Sequence, residues 1–175
     1  ACRKFFEDKN YHELESPILA PALPQERYLN VLKTYIESKE QGSNAEVKTK
    51  KIAYIIPTTE RYNKIALAAG LGEHFVITKV ARGLEETGPN HSPEFTMLEW
   101  YHLNANYFDL MDDCENLIKF INRHIYNSLV KEKELGRFPV EDLRIQNHKT
   151  REINYQGQKI NLENPWERIS VPEAL

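Results

Sequence analysis

The alternation of apolar and polar residues is sharpest between Glu73 and Tyr101, EHFVITKVARGLEETGPNHSPEFTMLEWY. Two segments of strand character flank a loop rich in glycine, proline and charge. In the first, Val76, Thr78 and Val80 alternate with Phe75, Ile77 and Lys79. In the second, a period of two places Glu94, Thr96, Leu98 and Trp100 on one face and Phe95, Met97, Glu99 and Tyr101 on the other. That second face holds one carboxylate in a row of aromatic and thioether groups. An ionised carboxylate leaves water at high cost unless a cation answers it, so a cation from the protein or from a ligand is expected against Glu99.

The rest of the chain is less sharply patterned. Arg3 to Asp8 reads as the last turns of a helix with Cys2, Phe5 and Phe6 on one face and Asn10 as a left-handed cap. Tyr11-His12-Glu13-Leu14-Glu15 alternates like a strand and runs to Pro17, which ends regular pairing. Ala20 to Tyr28 is expected to be an irregular connection. Tyr35 to Lys51 is polar and predicts a mobile loop between Lys39 and Lys48. Ile52 to Ile56 predicts a short strand halted by Pro57. Thr58 or Thr59 then caps a helix with apolar positions Tyr62, Ile65, Ala66 and Ala69 and a stop at Gly70. From Asp109 to Glu134, Leu110, Cys114, Leu117, Ile118, Ile121 and Ile125 recur at helical steps, predicting a long amphipathic helix that covers a sheet face. Ile153 to Leu162 reads as a hairpin turning at Gln156-Gly157. Ser170-Val171-Pro172-Glu173 is a capping box that starts a helix. A chain that opens inside one helix and stops at the start of another is expected to be part of a longer polypeptide.

Composition narrows the class. With 175 residues, 41% hydrophobic and 28% charged, the chain is expected to form a single globular domain over 1–175. Its apolar runs are a few residues long, which predicts no membrane partner. A formal charge of -3 argues against a broad basic surface for nucleic acid. Cys2 and Cys114 have no metal-type spacing and no disulfide framework, which suits a cytoplasmic location.

Arg82, Glu85-Glu86 and the run His91-Ser92-Pro93-Glu94-Phe95-Thr96-Met97-Leu98-Glu99-Trp100-Tyr101 together resemble the second signature motif of class II aminoacyl-tRNA synthetases. The resemblance is narrower still to the lysyl-tRNA synthetase branch and its short relative, the ligase that attaches lysine to elongation factor P. Arg3 to Phe6 followed by Tyr11 to Leu19 is similar to the first motif. Thr59 to Lys64 is similar to the stretch that carries an amino-acid-binding glutamate, and Pro165 to Ser170 to the approach to the C-terminal half.

The resemblance implies an α/β (α+β) fold: a mainly antiparallel sheet flanked by helices, truncated here, and a homodimer formed through the first motif. It implies ATP-dependent activation of lysine and transfer to tRNA or to elongation factor P. Arg82 would bridge the amino-acid carboxylate and the α-phosphate of ATP, the one catalytic assignment. His91 would approach the β/γ end of ATP, Phe95 would stack on adenine, and Glu85 would take part in nucleotide binding, with Glu86 competing for that role. Glu60 would accept from the α-ammonium of lysine, while Glu99 and Tyr101 would meet its side-chain ammonium. His91 as an ordinary loop histidine is the plain alternative, and Met97 is expected to be packing.

This sequence also departs from the family pattern. Ala81 stands where an aromatic is usual, and Gly83-Leu84 lengthens the span from Arg82 to the double glutamate by one residue. The third motif, the carboxylates that hold Mg2+ and the second glutamate of the lysine pocket have no match, and no anticodon-binding barrel precedes the first motif. An incomplete site is therefore expected. Three functions stay open: a lysine–tRNA ligase-like core, a lysine ligase with a protein acceptor, and a truncated paralogue acting as a binding or regulatory module.

Overall fold

The computed structural model describes residues 1–22, 29–41, 46–83, 91–135 and 151–174. They divide into two compact units, one formed by Asn10–Leu103 and the other by Ala1–Lys9 with Asn104–Leu175.

The Asn10–Leu103 unit carries two three-stranded sheets. In the first, β1 (His12–Glu13) runs parallel to β5 (His74–Ala81), which pairs antiparallel with β6 (Glu94–Tyr101). In the second, β4 (Glu46–Ile55) lies between β2 (Leu19–Ala20) and β3 (Lys33–Gln41), antiparallel to both. The mixed, mainly antiparallel architecture is the expected one. The β5–β6 register sets His74 opposite Tyr101, Val76 opposite Glu99, Thr78 opposite Met97 and Val80 opposite Phe95. Directly paired residues share a face, so the predicted Phe95-Met97-Glu99-Tyr101 row is joined there by His74, Val76, Thr78 and Val80. One end of this row is core: Ala20, Ile56 and Val80 are buried together, with Tyr62, Phe95 and Met97 packed against them.

The loop predicted between Lys39 and Lys48 is narrowed, because β3 and β4 make a long ribbon whose pairing runs from Lys33–Tyr54 to Gln41–Glu46, and residues 42–45 lie outside the described ones. Tyr35, Ile36 and Ile52 are exposed on it. A backbone ladder holds this ribbon, and the Lys50 ammonium lies 4.4 Å from the Tyr35 ring centroid on it.

Helix α2 (Glu60–Ala68) begins after Thr59 and ends as predicted. Leu71 N–H donates to Ala66 O at 3.0 Å and Gly70 N–H to Leu67 O at 2.9 Å, with Gly70 at φ +85°. This is the paired-bond stop that a left-handed residue makes possible. Replacing Gly70 by Ala is expected to lower the unfolding free energy by about 1 kcal/mol through left-handed strain, read as a lower urea midpoint at unchanged slope. Of the apolar stripe predicted for α2, Tyr62 packs against the core while Ile65 is exposed, and the buried residue is the polar Asn63.

In the other unit, α1 (Cys2–Glu7) packs against α3 (Tyr107–Glu134). Phe5 and Phe6 are buried, and the Phe5 ring meets Phe120 edge-on at 5.5 Å. Asn10, at φ +63°, turns the chain after α1 as expected. Asp113 is buried and answered by Lys9 at 2.5 Å, whose ammonium also lies 4.7 Å from the Phe5 ring centroid. Of the apolar stripe predicted for α3, Leu117 is buried, while Leu110, Cys114, Ile118 and Ile125 are exposed. The hairpin of β7 (Glu152–Tyr155) and β8 (Gln158–Asn161) turns through Gln156 and Gly157, both at positive φ, as a two-residue loop requires.

The capping box predicted at the start of α4 (Val171–Ala174) forms in half: the Glu173 side chain reaches back to Ser170, while the Glu173 N–H bonds the Ser170 backbone oxygen and not its hydroxyl. Ser170 N–H and Oγ both donate to the Glu173 carboxylate at 2.8 Å, and Glu173 N–H donates to Ser170 O at 3.0 Å. These backbone and hydroxyl donors hold the Glu173 carboxyl below its ordinary value. The sign follows: a depressed folded-state pKa gives support that is complete above the ordinary glutamate range and is lost as pH falls through the lower value. An amide NMR titration should show the Ser170 resonance moving at a pH below that of a free glutamate.

Candidate active site

The structure sorts the residues singled out above into two groups on the β5–β6 face. At the far end of β6, Glu99 is half-buried and held by hydroxyls. Tyr101 Oη donates to its Oε1 at 2.9 Å, Thr59 Oγ1 donates to its Oε2 at 2.7 Å, and Thr58 Oγ1 lies 3.4 Å from Oε2. Of the two expected sources of a cation, the protein supplies none in contact: among the described residues no ion pair to Glu99 forms. Hydroxyl donors satisfy part of the carboxylate without neutralising it, so its charge is left for something else to meet.

Tyr101 is fixed from both sides. Its ring stacks on the fully buried His74 at 5.4 Å and 8° between planes. His74 Nδ1 lies 2.8 Å from Gly72 O, an acceptor only, so Nδ1 carries the ring proton in this contact. Burial, then the hydrogen bond and charge of Glu99, then the charge of Glu60 push the Tyr101 hydroxyl well above the ordinary tyrosine range. It therefore stays protonated and donates to Glu99 at all working pH values. Glu60 directly follows Thr59, whose hydroxyl donates to Glu99. Glu60 is the first residue of α2 and pairs with Lys64 one turn on.

The second group stands where β5 ends and β6 begins. Arg82 N–H donates to Pro93 O at 2.8 Å, and its Nε donates to Pro57 O at 3.2 Å. The guanidinium carbon lies 5.2 Å from the Phe95 ring centroid. A planar cation over a half-exposed aromatic ring is a pairing that suits both a phosphate and a flat base. Phe95 and Glu99 are four residues apart on one strand, ~13 Å along it, so an extended ligand can reach both groups.

His91 is exposed, at an isolated β-bridge position just before β6. Glu85 and Glu86 lie outside the described residues. No cluster of three or more His, Cys, Asp or Glu able to hold a metal occurs among the described residues, so no Mg2+ ligand is assigned. Likewise, among the described residues no helix is long and apolar enough to cross a membrane. Met97 packs as expected. The reading of the sequence passed over Asn63 and His74 as site residues and took Thr58 or Thr59 for a helix cap; Glu60 N–H does donate to Thr58 Oγ1, at 3.3 Å. Thr59 does sit at the cap position, yet its side chain makes no capping bond and turns to Glu99 instead. Nothing in sequence spacing distinguishes these two uses of a threonine.

A family model described as tRNA synthetases class II (D, K and N) matches residues 1–175. This chain belongs to the class II tRNA synthetases. Among its curated relatives within that family, lysine–tRNA ligase of Carboxydothermus hydrogenoformans is 31% identical over 99% of this chain and 28% of its own length. Elongation factor P–(R)-beta-lysine ligase of Avibacterium paragallinarum is 34% identical over 68% of this chain and 35% of its own length. The chain thus spans about a third of the curated relatives it matches. Asparaginyl-tRNA synthetase from Pyrococcus horikoshii, solved with asparaginyl-adenylate, superposes with a TM-score of 0.62. The superposition covers 99% of this chain and 33% of that one at 21% identity, which establishes the synthetase fold.

Proposed function

We propose that this chain forms part of the catalytic core of an ATP-dependent lysine ligase that activates lysine as lysyl-adenylate and passes it to tRNA. The observation that carries the reading is Glu99, a half-buried carboxylate anchored by Thr59 and Tyr101 with no ion pair among the described residues. A primary ammonium fits it well, because its three N–H donors can reach the remaining lone pairs of Glu99 and the Tyr101 oxygen. The names of the relatives, one a ligase of lysine and the other of (R)-beta-lysine, support a lysine-type substrate over aspartate or asparagine.

In this reading Glu60 receives the α-ammonium and Arg82 bridges the lysine carboxylate and the α-phosphate. Phe95 offers its ring to adenine, His91 approaches the β/γ-phosphates, and Glu85 takes part in nucleotide binding. A lysine carboxylate oxygen bonds to the α-phosphorus and the bond to the β-phosphate oxygen breaks, releasing pyrophosphate with its electron pair. The acceptor then attacks the acyl carbon and AMP leaves. No side chain acts as nucleophile. The protein's part is to hold two anions in line and to offset charge on phosphorus. Mg2+, where bound, supplies further charge to the phosphates.

For the acceptor, the lysine–tRNA ligase match runs over 99% of the chain against 68% for the elongation factor P ligase, which favours tRNA. A homodimer through the segment from Arg3 to Leu19 goes with this reading, and sedimentation equilibrium at the monomer mass alone would count against it. The function itself is tested by calorimetric titration with non-hydrolysable lysyl- and aspartyl-adenylate analogues. Saturable binding of the lysyl compound alone is expected. Equal affinity for both, or binding of neither, would overturn the lysine assignment.

A further inference from the structure

Asn63 is the buried residue of α2, where an amphipathic helix would place an apolar side chain. Its Nδ2 donates to Thr59 Oγ1 at 2.9 Å, and Thr59 in turn donates to Glu99 Oε2 at 2.7 Å. Asn63 and Thr59 are both fully buried. The polarity of this relay follows from its end point. An ionised carboxylate only accepts, so a 2.7 Å contact must contain the Thr59 proton. Thr59 has a single proton and has spent it on Glu99, so it can only accept from Asn63, and the amide must present nitrogen rather than oxygen. The same conclusion holds however the amide is drawn, because the reversed amide would turn the Thr59 proton away and set two acceptors against each other. The remaining oxygen, Asn63 Oδ1, is buried without a hydrogen-bond partner. A leucine would fill this site without stranding an acceptor. What the amide adds is the donor to Thr59.

We infer that Asn63 is a positioning residue for the ammonium receptor. It locks the Thr59 hydroxyl onto Glu99, and so ties the carboxylate on β6 to the first turn of α2, which carries Glu60. The two carboxylates are then held at a set spacing, and that spacing selects the length of a ligand bearing an ammonium at each end. The inference rests on the lysine reading for its ligand, but the relay itself can be tested without one. Lysine and ornithine differ by one methylene, a difference a rigid site can resolve by roughly 10- to 200-fold.

The experiment compares the intact chain with Asn63→Leu by calorimetry, using lysyl- and ornithyl-adenylate analogues, and records the Glu99 side-chain carboxyl 13C resonance of both proteins at neutral pH without ligand. In Asn63→Leu the lysyl affinity is expected to fall about 10-fold with ornithyl affinity little changed, so that the discrimination collapses, and the Glu99 resonance is expected to move. A folded variant with the same discrimination and the same Glu99 resonance would overturn the inference. If the intact chain binds neither compound, the lysine reading falls, and the carboxyl resonance alone decides whether Asn63 positions Glu99. Should Asn63→Leu fail to fold, the Asn63 side-chain amide signals of the Glu99→Gln protein decide it. They shift if the relay reaches Glu99, and signals that stay in place refute it.

Discussion

Glu99→Gln is expected to weaken binding of the lysyl-adenylate analogue by about 1.5–3 kcal/mol, roughly 10- to 150-fold. The substitution keeps the shape of the side chain and removes its charge. In the parent chain both carboxylate oxygens accept from hydroxyls, Tyr101 on one and Thr59 on the other. A glutamine can accept with one end only. Its amide nitrogen must face one of the two hydroxyls, so either Tyr101 or Thr59 loses its acceptor as the ligand loses its counter-charge. Stability should change much less than affinity, because Glu99 is half-buried and forms no ion pair among the described residues whose loss would strand a cation. Calorimetry and urea denaturation on the same samples separate the two effects. An unchanged affinity for the lysyl compound would show that Glu99 is a hydrogen-bond anchor for Tyr101 and nothing more.

The second large effect is expected at Arg82. Arg82→Ala should reduce affinity for the same analogue by about 3 kcal/mol, or two orders of magnitude, since charge-assisted contacts to the α-phosphate position are the strongest available to this face. Arg82→Lys should fall between, because it keeps the charge but loses the planar fork and its stacking on Phe95. The guanidinium is pre-aimed, with Nε anchored to Pro57 O and its backbone N–H to Pro93 O, so little ordering is left to be done on binding. If both variants bind as tightly as the parent, Arg82 is a structural clamp between the β4 end and the β6 entry. The lysine-to-ornithine ratio gives an internal control, since in the proposed arrangement Arg82 meets a part that the two ligands share.

The sequence by itself determined the elements whose signal is local or periodic. The alternation in β6 gave the face bearing Phe95, Met97, Glu99 and Tyr101, and the β5–β6 register kept that face intact. Gly70, Asn10 and Gln156-Gly157 marked left-handed turns, and Ser170 to Glu173 marked a capping box, because these depend on neighbours in the chain. The run from His91 to Tyr101 was also enough to point to the class II synthetases, to which the chain belongs. What the tertiary structure alone decided is of two kinds. The β3–β4 ribbon is invisible to hydrophobic periodicity because its Tyr35, Ile36 and Ile52 are exposed and its pairing lies in the backbone ladder. The hydrogen-bond relay to Glu99 was hidden for the opposite reason. Thr59 and Asn63 look like a helix cap and a helix surface until α2 is set beside β6, forty residues away in the chain. A short polar side chain has several partners it can satisfy, and only packing in three dimensions, where a buried donor must find its acceptor, chooses among them.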